Sequence, residues 1–175
     1  RSRAKAVNFG IAYGQGAFGL AQNLGIPRAE AKQIIDDYFA QFPGVRSYMD
    51  EMIGFCRTHG YIRTLMGRRR YLPDITSANN TVRAQAERIA INAPMQGTAA
   101  DIIKVAMVNI QRELKQRRLK SKLLLQVHDE LVFDAHTSEA DELKALVRDR
   151  MEGAFPLAVP LVVDMGMGKN WLEAH

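Results

Sequence analysis

Arg1, Lys5, Phe9 and Tyr13 recur every four residues at the start of the chain. On a helix each step of four turns only about 40°, so the four side chains share one face. That face reads cation, cation, aromatic, aromatic. Fixed positive donors suit a triphosphate, and flat apolar rings suit a sugar and a base, so a nucleotide can lie along it in that order. Gly10 and Gly14 beside the rings allow close approach and local bending. The same residues also fit an ordinary amphipathic helix with its aromatics in the core and its cations in water. Much later, L-L-L-Q-V-H-D-E-L-V-F-D sets His128, Asp129 and Glu130 between two β-rich runs. Carboxylates on a tight turn have little freedom left to lose, and phosphoryl transfer assisted by two magnesium ions needs oxygen ligands held that rigidly. Acids between strands are equally the makings of a polar turn.

A competing pattern overlaps the first. G-Q-G-A-F-G, with Gly14, Gly16 and Gly19, matches the dinucleotide fingerprint G-x-G-x-x-G, and Asp36 and Asp37 lie near its acidic position about 20 residues on. The fingerprint needs a buried strand before it. Here the preceding segment carries Lys5, Asn8 and Gly10, and no second strand-helix-strand unit follows, so a dinucleotide-binding oxidoreductase is a remote alternative.

Lysine and arginine outnumber aspartate and glutamate by 24 to 19, a net charge of +5. With an isoelectric point near 9.5, this balance favours a polyanionic partner such as nucleic acid. Basic residues cluster at Arg68, Arg69 and Arg70 and again from Lys115 to Lys122, although either cluster also suits a solvated face. The 175 residues, 47% hydrophobic and 25% charged, can bury one sizeable core or two small ones sharing an interface. No apolar run approaches the roughly 20 residues of a membrane span, and no secretory leader opens the sequence, so a cytoplasmic protein without a membrane partner is expected. Cys56 is the only cysteine. It has no partner for a disulfide or a zinc site and suits a small buried position in a reducing compartment.

The elements that must position these groups follow from periodicity. Residues 1–13 read as a helix broken at Gly14 and Gly16, followed by a short apolar stretch over 18–24. Pro27 opens a helix that puts Ala31, Ile34, Ile35, Tyr38 and Phe42 on one stripe and stops before Pro43. A further helix runs over 45–58 and closes at Gly60. The period then changes, and G-Y-I-R-T-L-M-G-R-R-R-Y-L-P reads as a hairpin around Gly67 with an arginine-rich turn. Helical character returns over 80–119 in two pieces interrupted near Pro94. After the acidic hairpin, Ser138 caps a helix to about Glu152 with Asp141 completing a capping box, and V-P-L-V-V-D-M-G supplies a closing strand.

R-x-x-x-K-x-x-x-F-G-x-x-Y-G at residues 1–14 resembles the fingers helix with which the bacterial DNA polymerase I family, family A, closes over an incoming nucleotide. Q-V-H-D-E-L-V-F-D resembles the palm hairpin of the same family, and A-E-R-I-A-I-N-A-P-M-Q-G-T-A-A-D between them resembles a third family segment. L-M-G-R-R-R-Y-L-P-D-I and the terminal G-K-N-W-L-E-A-H are similar as well, so the resemblance spans essentially the whole chain. It implies an α+β fold, with a mostly helical fingers subdomain over 1–90 and a palm portion over 91–175 whose antiparallel hairpin packs on helices. It implies template-directed DNA synthesis by a monomer acting on primer-template DNA and dNTP, with two Mg2+ ions assisting transfer to the primer 3′-hydroxyl. Arg1 and Lys5 then hold the β and γ phosphates, with Lys5 also the candidate proton donor to pyrophosphate. Phe9 packs on the sugar and Tyr13 occupies or gates the template-base slot. Asp129 ligates the catalytic metals, Glu130 assists nearby and His128 lies against the primer end. Arg88, Asn92 and Gln96 reach template and primer in the minor groove, where every base pair offers acceptors and geometry can be checked without reading sequence. The arginines at 68–70 help bind or shape the fingers near DNA.

The family's second metal-binding aspartate stands in a run of the type D-Y-S-Q-I-E-L-R before the gripping helix, and this sequence has no such run. Asp36, Asp50, Asp74 and Asp101 all follow that helix in non-matching contexts. The expectation is a longer polymerase extending before Arg1, with this piece inactive or nearly so alone. The alternative is a non-catalytic nucleic-acid-binding domain that kept the polymerase fold, against which stands the intact set of Arg1, Lys5, Phe9, Tyr13, His128 and Asp129.

Overall fold

The computed structural model describes residues 2–174. The chain divides into two compact units, Arg1–Thr98 and Ala99–His175.

The first unit opens with three helices, α1 (Ser2–Ala12), α2 (Ala17–Leu24) and α3 (Arg28–Gln41). Ile11, Leu20, Ala21 and Ala31 form their buried centre, and Val7, Ile34, Ile35, Tyr38 and Phe39 pack around it. Phe42, expected on the α3 stripe, is instead 51% exposed, because the chain leaves the helix there with φ −124°. α4 (Pro43–His59) begins two residues before the expected Val45. Proline suits that first position, since its missing N–H has no helical partner there. Gly60 at φ +73° closes α4.

β1 (Tyr61–Arg63) and β2 (Arg69–Tyr71) form an antiparallel pair. The turn between them is Leu65, Met66 and Gly67, with Gly67 at φ +82° and its N–H donating to the Thr64 carbonyl at 2.9 Å. Arg69 and Arg70 therefore occupy the returning strand, and Arg68 stands in the connection just before it. Beneath lies a second core of Cys56, Ile62, Leu72, Ile75, Ala86 and Ala90.

α5 (Asn80–Gln116) runs unbroken through Pro94, where two pieces were expected. Asn79 starts it, its Oδ1 accepting from the N–H groups of Thr81 at 2.9 Å and Val82 at 3.4 Å. A proline inside a helix removes a donor and crowds the preceding turn. In that turn the Tyr48 hydroxyl donates to the Ile91 carbonyl at 3.0 Å, supplying a partner from outside the helix.

In the second unit the later part of α5 presents Ala106, Ile110 and Leu114 to Leu143, Leu146 and Val147 of α6 (Ala140–Glu152). β3 (Lys122–Val127) and β4 (Glu130–Asp134) pair antiparallel, and Leu131 and Phe133 pack on that core. An irregularity between Leu123 and Leu125 shifts the register and leaves Leu124 57% exposed. Ser138 does not cap α6. A short 3-10 turn, Thr137–Glu139, intervenes, and the Ser138 Oγ meets His136 Nδ1 at 2.9 Å. Glu139 precedes α6 and clamps the start of β3, accepting from the Lys120 N–H, the Ser121 N–H and, at 2.7 Å, the Ser121 hydroxyl.

The closing strand expected over 159–166 is not formed. Glu152 Oε1 holds the Val163 N–H at 3.1 Å and Met165 packs on the core, but among the described residues no strand pairs with the segment. Alternation makes a strand only where a neighbouring edge accepts its hydrogen bonds. A short helix, α7 (Trp171–Ala174), follows. Predominantly helical, with two small antiparallel sheets, the chain has the α+β class expected from its sequence.

Candidate nucleotide and nucleic-acid site

α1 turns Ile11 and Val7 into the core, and that choice fixes the opposite face. Phe9 and Tyr13 are left 46% and 45% exposed, so the rings of the four-residue row are not core residues. The Lys5 Nζ stands 5.6 Å from the centroid of the Phe9 ring, and Phe9 and Tyr13 stack with centroids 6.0 Å apart at 19°. Tyr13 keeps the helical path one residue past α1, its N–H donating to the Phe9 carbonyl at 2.9 Å. Ammonium and two parallel rings thus form one open row. Arg1, the remaining member, lies outside the described residues.

α5 docks against the end of this row. Gly14 sits at φ +76°, and a Cβ there would lie 3.4 Å from both Arg88 Cγ and Ile91 Cδ1. Asn92 donates from Nδ2 to the Tyr13 carbonyl at 3.3 Å, while its Oδ1 is buried without a hydrogen-bond partner among the described residues. Arg88, Asn92 and Gln96 follow one another at helical spacing on α5, and the exposed Gln96 borders a depression of about 80 Å³ shared with Arg63, Arg68, Arg69 and Arg70. Arg68 reaches α5 from β2's side, donating to the Gly97 carbonyl at 3.0 Å. Gly97 is needed for this approach, since a Cβ would stand 2.5 Å from Thr64 Cγ2.

Of the glycines that mimicked a dinucleotide fingerprint, Gly14 and Gly19 are closely packed, whereas a Cβ on Gly16 would meet nothing within 4 Å. The Gln15 side chain fills the space a Cβ on Gly10 would need and lies 3.0 Å from the Cβ position of Gly19. α1 stands where that fingerprint requires a buried strand, so its structural context is absent. Gln15 was not singled out in the sequence, and its flanking glycines were the available signal.

In the second unit, His128 and Asp129 form the two-residue turn between Val127 and Glu130, which pair across the hairpin. Glu130 thus opens β4, where the sequence had suggested a place in the turn. His128 adopts φ +53°, and its carbonyl accepts from Gln126 Nε2 at 2.8 Å. Asp129 is exposed and makes no hydrogen bond or ion pair among the described residues. No group of three or more His, Cys, Asp or Glu able to hold a metal occurs among the described residues. Asp129 and Glu130 by themselves therefore supply fewer carboxylates than a metal-ion site needs. The basic run from Lys115 onward borders an open cavity of about 440 Å³ with Arg118, Lys120 and Lys122 on its walls.

The first unit thus carries an open cation-aromatic row on α1 with amides on the helix docked beside it, and the second carries a carboxylate-tipped hairpin. A family model described as DNA polymerase family A matches residues 1–173, and the chain belongs to that family. It is 53% identical over 174 residues to DNA polymerase I of Lactococcus lactis subsp. lactis, covering 99% of this chain and 20% of that protein. With DNA polymerase I of Geobacillus stearothermophilus the identity is 54% over 174 residues, again covering 99% and 20%. A solved structure of the POL domain of Pol1 from M. smegmatis, in complex with DNA primer-template and dNTP, matches with a TM-score of 0.95 and 51% identity, over 99% of this chain and 30% of that one. The chain spans about one fifth of the length of the full-length relatives. No helix among the described residues is long and apolar enough to cross a membrane.

Proposed function

We propose that this chain is the nucleotide-gripping and metal-carrying portion of a DNA-directed DNA polymerase, which transfers a nucleotide from dNTP to a primer 3′-hydroxyl on template DNA. The observation that carries the reading is the exposed row of Lys5, Phe9 and Tyr13, held open because Val7 and Ile11 of the same helix are committed to the core. Lys5, with Arg1, binds the β and γ phosphates and gives the leaving pyrophosphate its proton. Phe9 packs on the sugar, and Tyr13 fills the template-base slot until the templating base enters.

Asp129, assisted by Glu130, holds divalent cations, for which we assign magnesium because the donors are carboxylate oxygens. Such cations, when bound, neutralise charge on the phosphate oxygens and favour ionisation of the attacking hydroxyl. A further carboxylate from outside this chain completes the ligand set. His128 lies against the primer end, and Arg88, Asn92 and Gln96 contact the minor groove, where donors can test base-pair geometry. We assign residues 1–90 to a fingers subdomain and 91–175 to a palm portion, in a cytoplasmic monomer.

The test uses the complete protein that carries this sequence. Asp129→Ala is expected to abolish incorporation while sparing most duplex affinity, and Lys5→Ala to lower the incorporation rate with duplex affinity kept. Equal loss of duplex affinity in both folded variants would sink these separate roles.

A further inference from the structure

The outward face of the β1–β2 ribbon has a composition that the local fold does not require. Hydrogen bonds link Thr64 to Arg68 at 2.9 Å and Leu72 to Gly60 at 3.0 Å, so the alternation of an antiparallel pair puts Tyr61–Tyr71 and Arg63–Arg69 at its non-hydrogen-bonded positions. Side chains stand closest at such positions, and like charges directly opposed there are destabilising. Among the described residues neither guanidinium meets a carboxylate.

Aromatic rings interleave with these cations. Arg69 Cζ lies 4.6 Å from the Tyr61 ring centroid and Arg63 Cζ lies 5.5 Å from that of Phe55. Tyr61 and Tyr71 approach with centroids 5.7 Å apart, and Tyr71 is 67% exposed. Ile62, between Tyr61 and Arg63, points the other way and is buried. The ribbon is therefore anchored by Ile62, and on its other face Tyr61 leans on Phe55 and His59 of α4 while Tyr71 stays open.

We propose that this face is a platform for single-stranded nucleic acid, with bases stacking on Tyr71 and Tyr61 and phosphates taken by Arg63 and Arg69. Charge complementarity favours this occupant. Two opposed guanidiniums without a carboxylate are relieved by a polyanion, and the exposed Tyr71 and half-buried Tyr61 alternating with cations match a strand in which bases alternate with phosphates. An acidic peptide would satisfy the arginines but leave the tyrosine faces without a stacking partner. Arg63 and Arg69 also border the depression that reaches Gln96, and the platform rests on the proposed polymerase reading only for the nature of the strand.

The test takes the complete protein with an oligo-dT strand carrying 5-iododeoxyuridine. Photocrosslinking is expected at Tyr61 or Tyr71. The Arg63→Gln/Arg69→Gln variant is expected to lose the crosslink and to flatten the dependence of log affinity on log salt by about 0.7 per arginine. Its melting temperature should equal or exceed the parent's, because two opposed cations are removed. Tyr71→Ala should weaken single-strand binding about fivefold or more, Tyr71→Phe should keep it, and an abasic strand of equal length should not distinguish Tyr71→Ala from the parent. A crosslink confined to other segments, an unchanged salt slope in the folded double variant, or a lowered melting temperature with unchanged binding would overturn the platform. Primer extension by the parent protein reads the polymerase proposal separately, so failure of one leaves the other standing.

Discussion

The Tyr48 hydroxyl is held above the ordinary phenol range by burial and, secondarily, by the charge of Glu51, so it stays a donor to the Ile91 carbonyl across the physiological range. Tyr48→Phe leaves the ring in place and removes only that donor. The variant is expected to lose about 1 kcal/mol, read as a lower urea midpoint of the complete protein with unchanged slope. His128 poses the opposite case. Its φ of +53° is a conformation that costs a residue with a Cβ about 1 kcal/mol and glycine nothing. His128→Gly is expected to raise stability by up to about 1 kcal/mol while lowering the rate of primer extension. Retention of the full rate would remove the imidazole from the primer end. Cys56 is fully buried in the α4–β1 core, and burial pushes its thiol up, away from the reactive thiolate.

α5 ends in a six-residue clasp. The Leu119 N–H reaches the Leu114 carbonyl at 3.0 Å and the Arg118 N–H reaches that of Lys115 at 3.2 Å, which is the pattern that closes many helices around a left-handed residue. That residue is Arg118, at φ +55°, where glycine is the usual occupant. Arg118→Gly is expected to raise stability by about 1 kcal/mol, measured by denaturant midpoint. An unchanged or lower midpoint would mean that the arginine side chain stabilises the clasp by as much as its backbone costs. On the same element Glu113 joins α5 to α6, accepting from Arg117 at 2.9 Å and Arg150 at 2.6 Å. The hydrogen bond from Arg117, then that from Arg150, hold its carboxyl below the usual range against the opposing effect of burial.

Across the whole molecule an excess of base over acid, +5 in net charge, makes each committed carboxylate important at low pH. Glu139 is the strongest case. Hydrogen bonds from the Lys120 N–H first, then from the Ser121 hydroxyl and N–H, bring it from 4.5 down to about 2. A carboxyl whose folded value is depressed stabilises the fold fully above its unfolded value, and that contribution fades as pH falls from about 4.5 towards 2. Glu139→Gln is expected to be less stable at neutral pH and to lack that part of the acid dependence. The check is NMR titration of the Ser121 amide in the parent. A midpoint near 4.5 there would show that the clamp does not favour the ionised carboxyl.

The sequence by itself determined which residues share a helix face and where the chain turns. Four-residue spacing put Lys5, Phe9 and Tyr13 in one row, and alternation around Gly67 and across residues 122–134 marked both hairpins, because these patterns depend only on the geometry of one element. The family was legible for the same reason, since its motifs are local. Tertiary structure decided what local patterns leave open. Whether Phe9 and Tyr13 face core or solvent depended on Ile11 and Val7 finding partners in α2 and α3. That α5 runs on through Pro94 was not visible in its local pattern, and beside that proline a hydroxyl 43 residues away along the chain bonds the helix backbone. Residues 159–166 lack a paired edge among the described residues. A strand needs a neighbour to exist, whereas a helix carries its hydrogen bonds within itself. The opening row was therefore readable in the sequence, while its exposure and its docking on Asn92 and Arg88 were properties of the packed molecule.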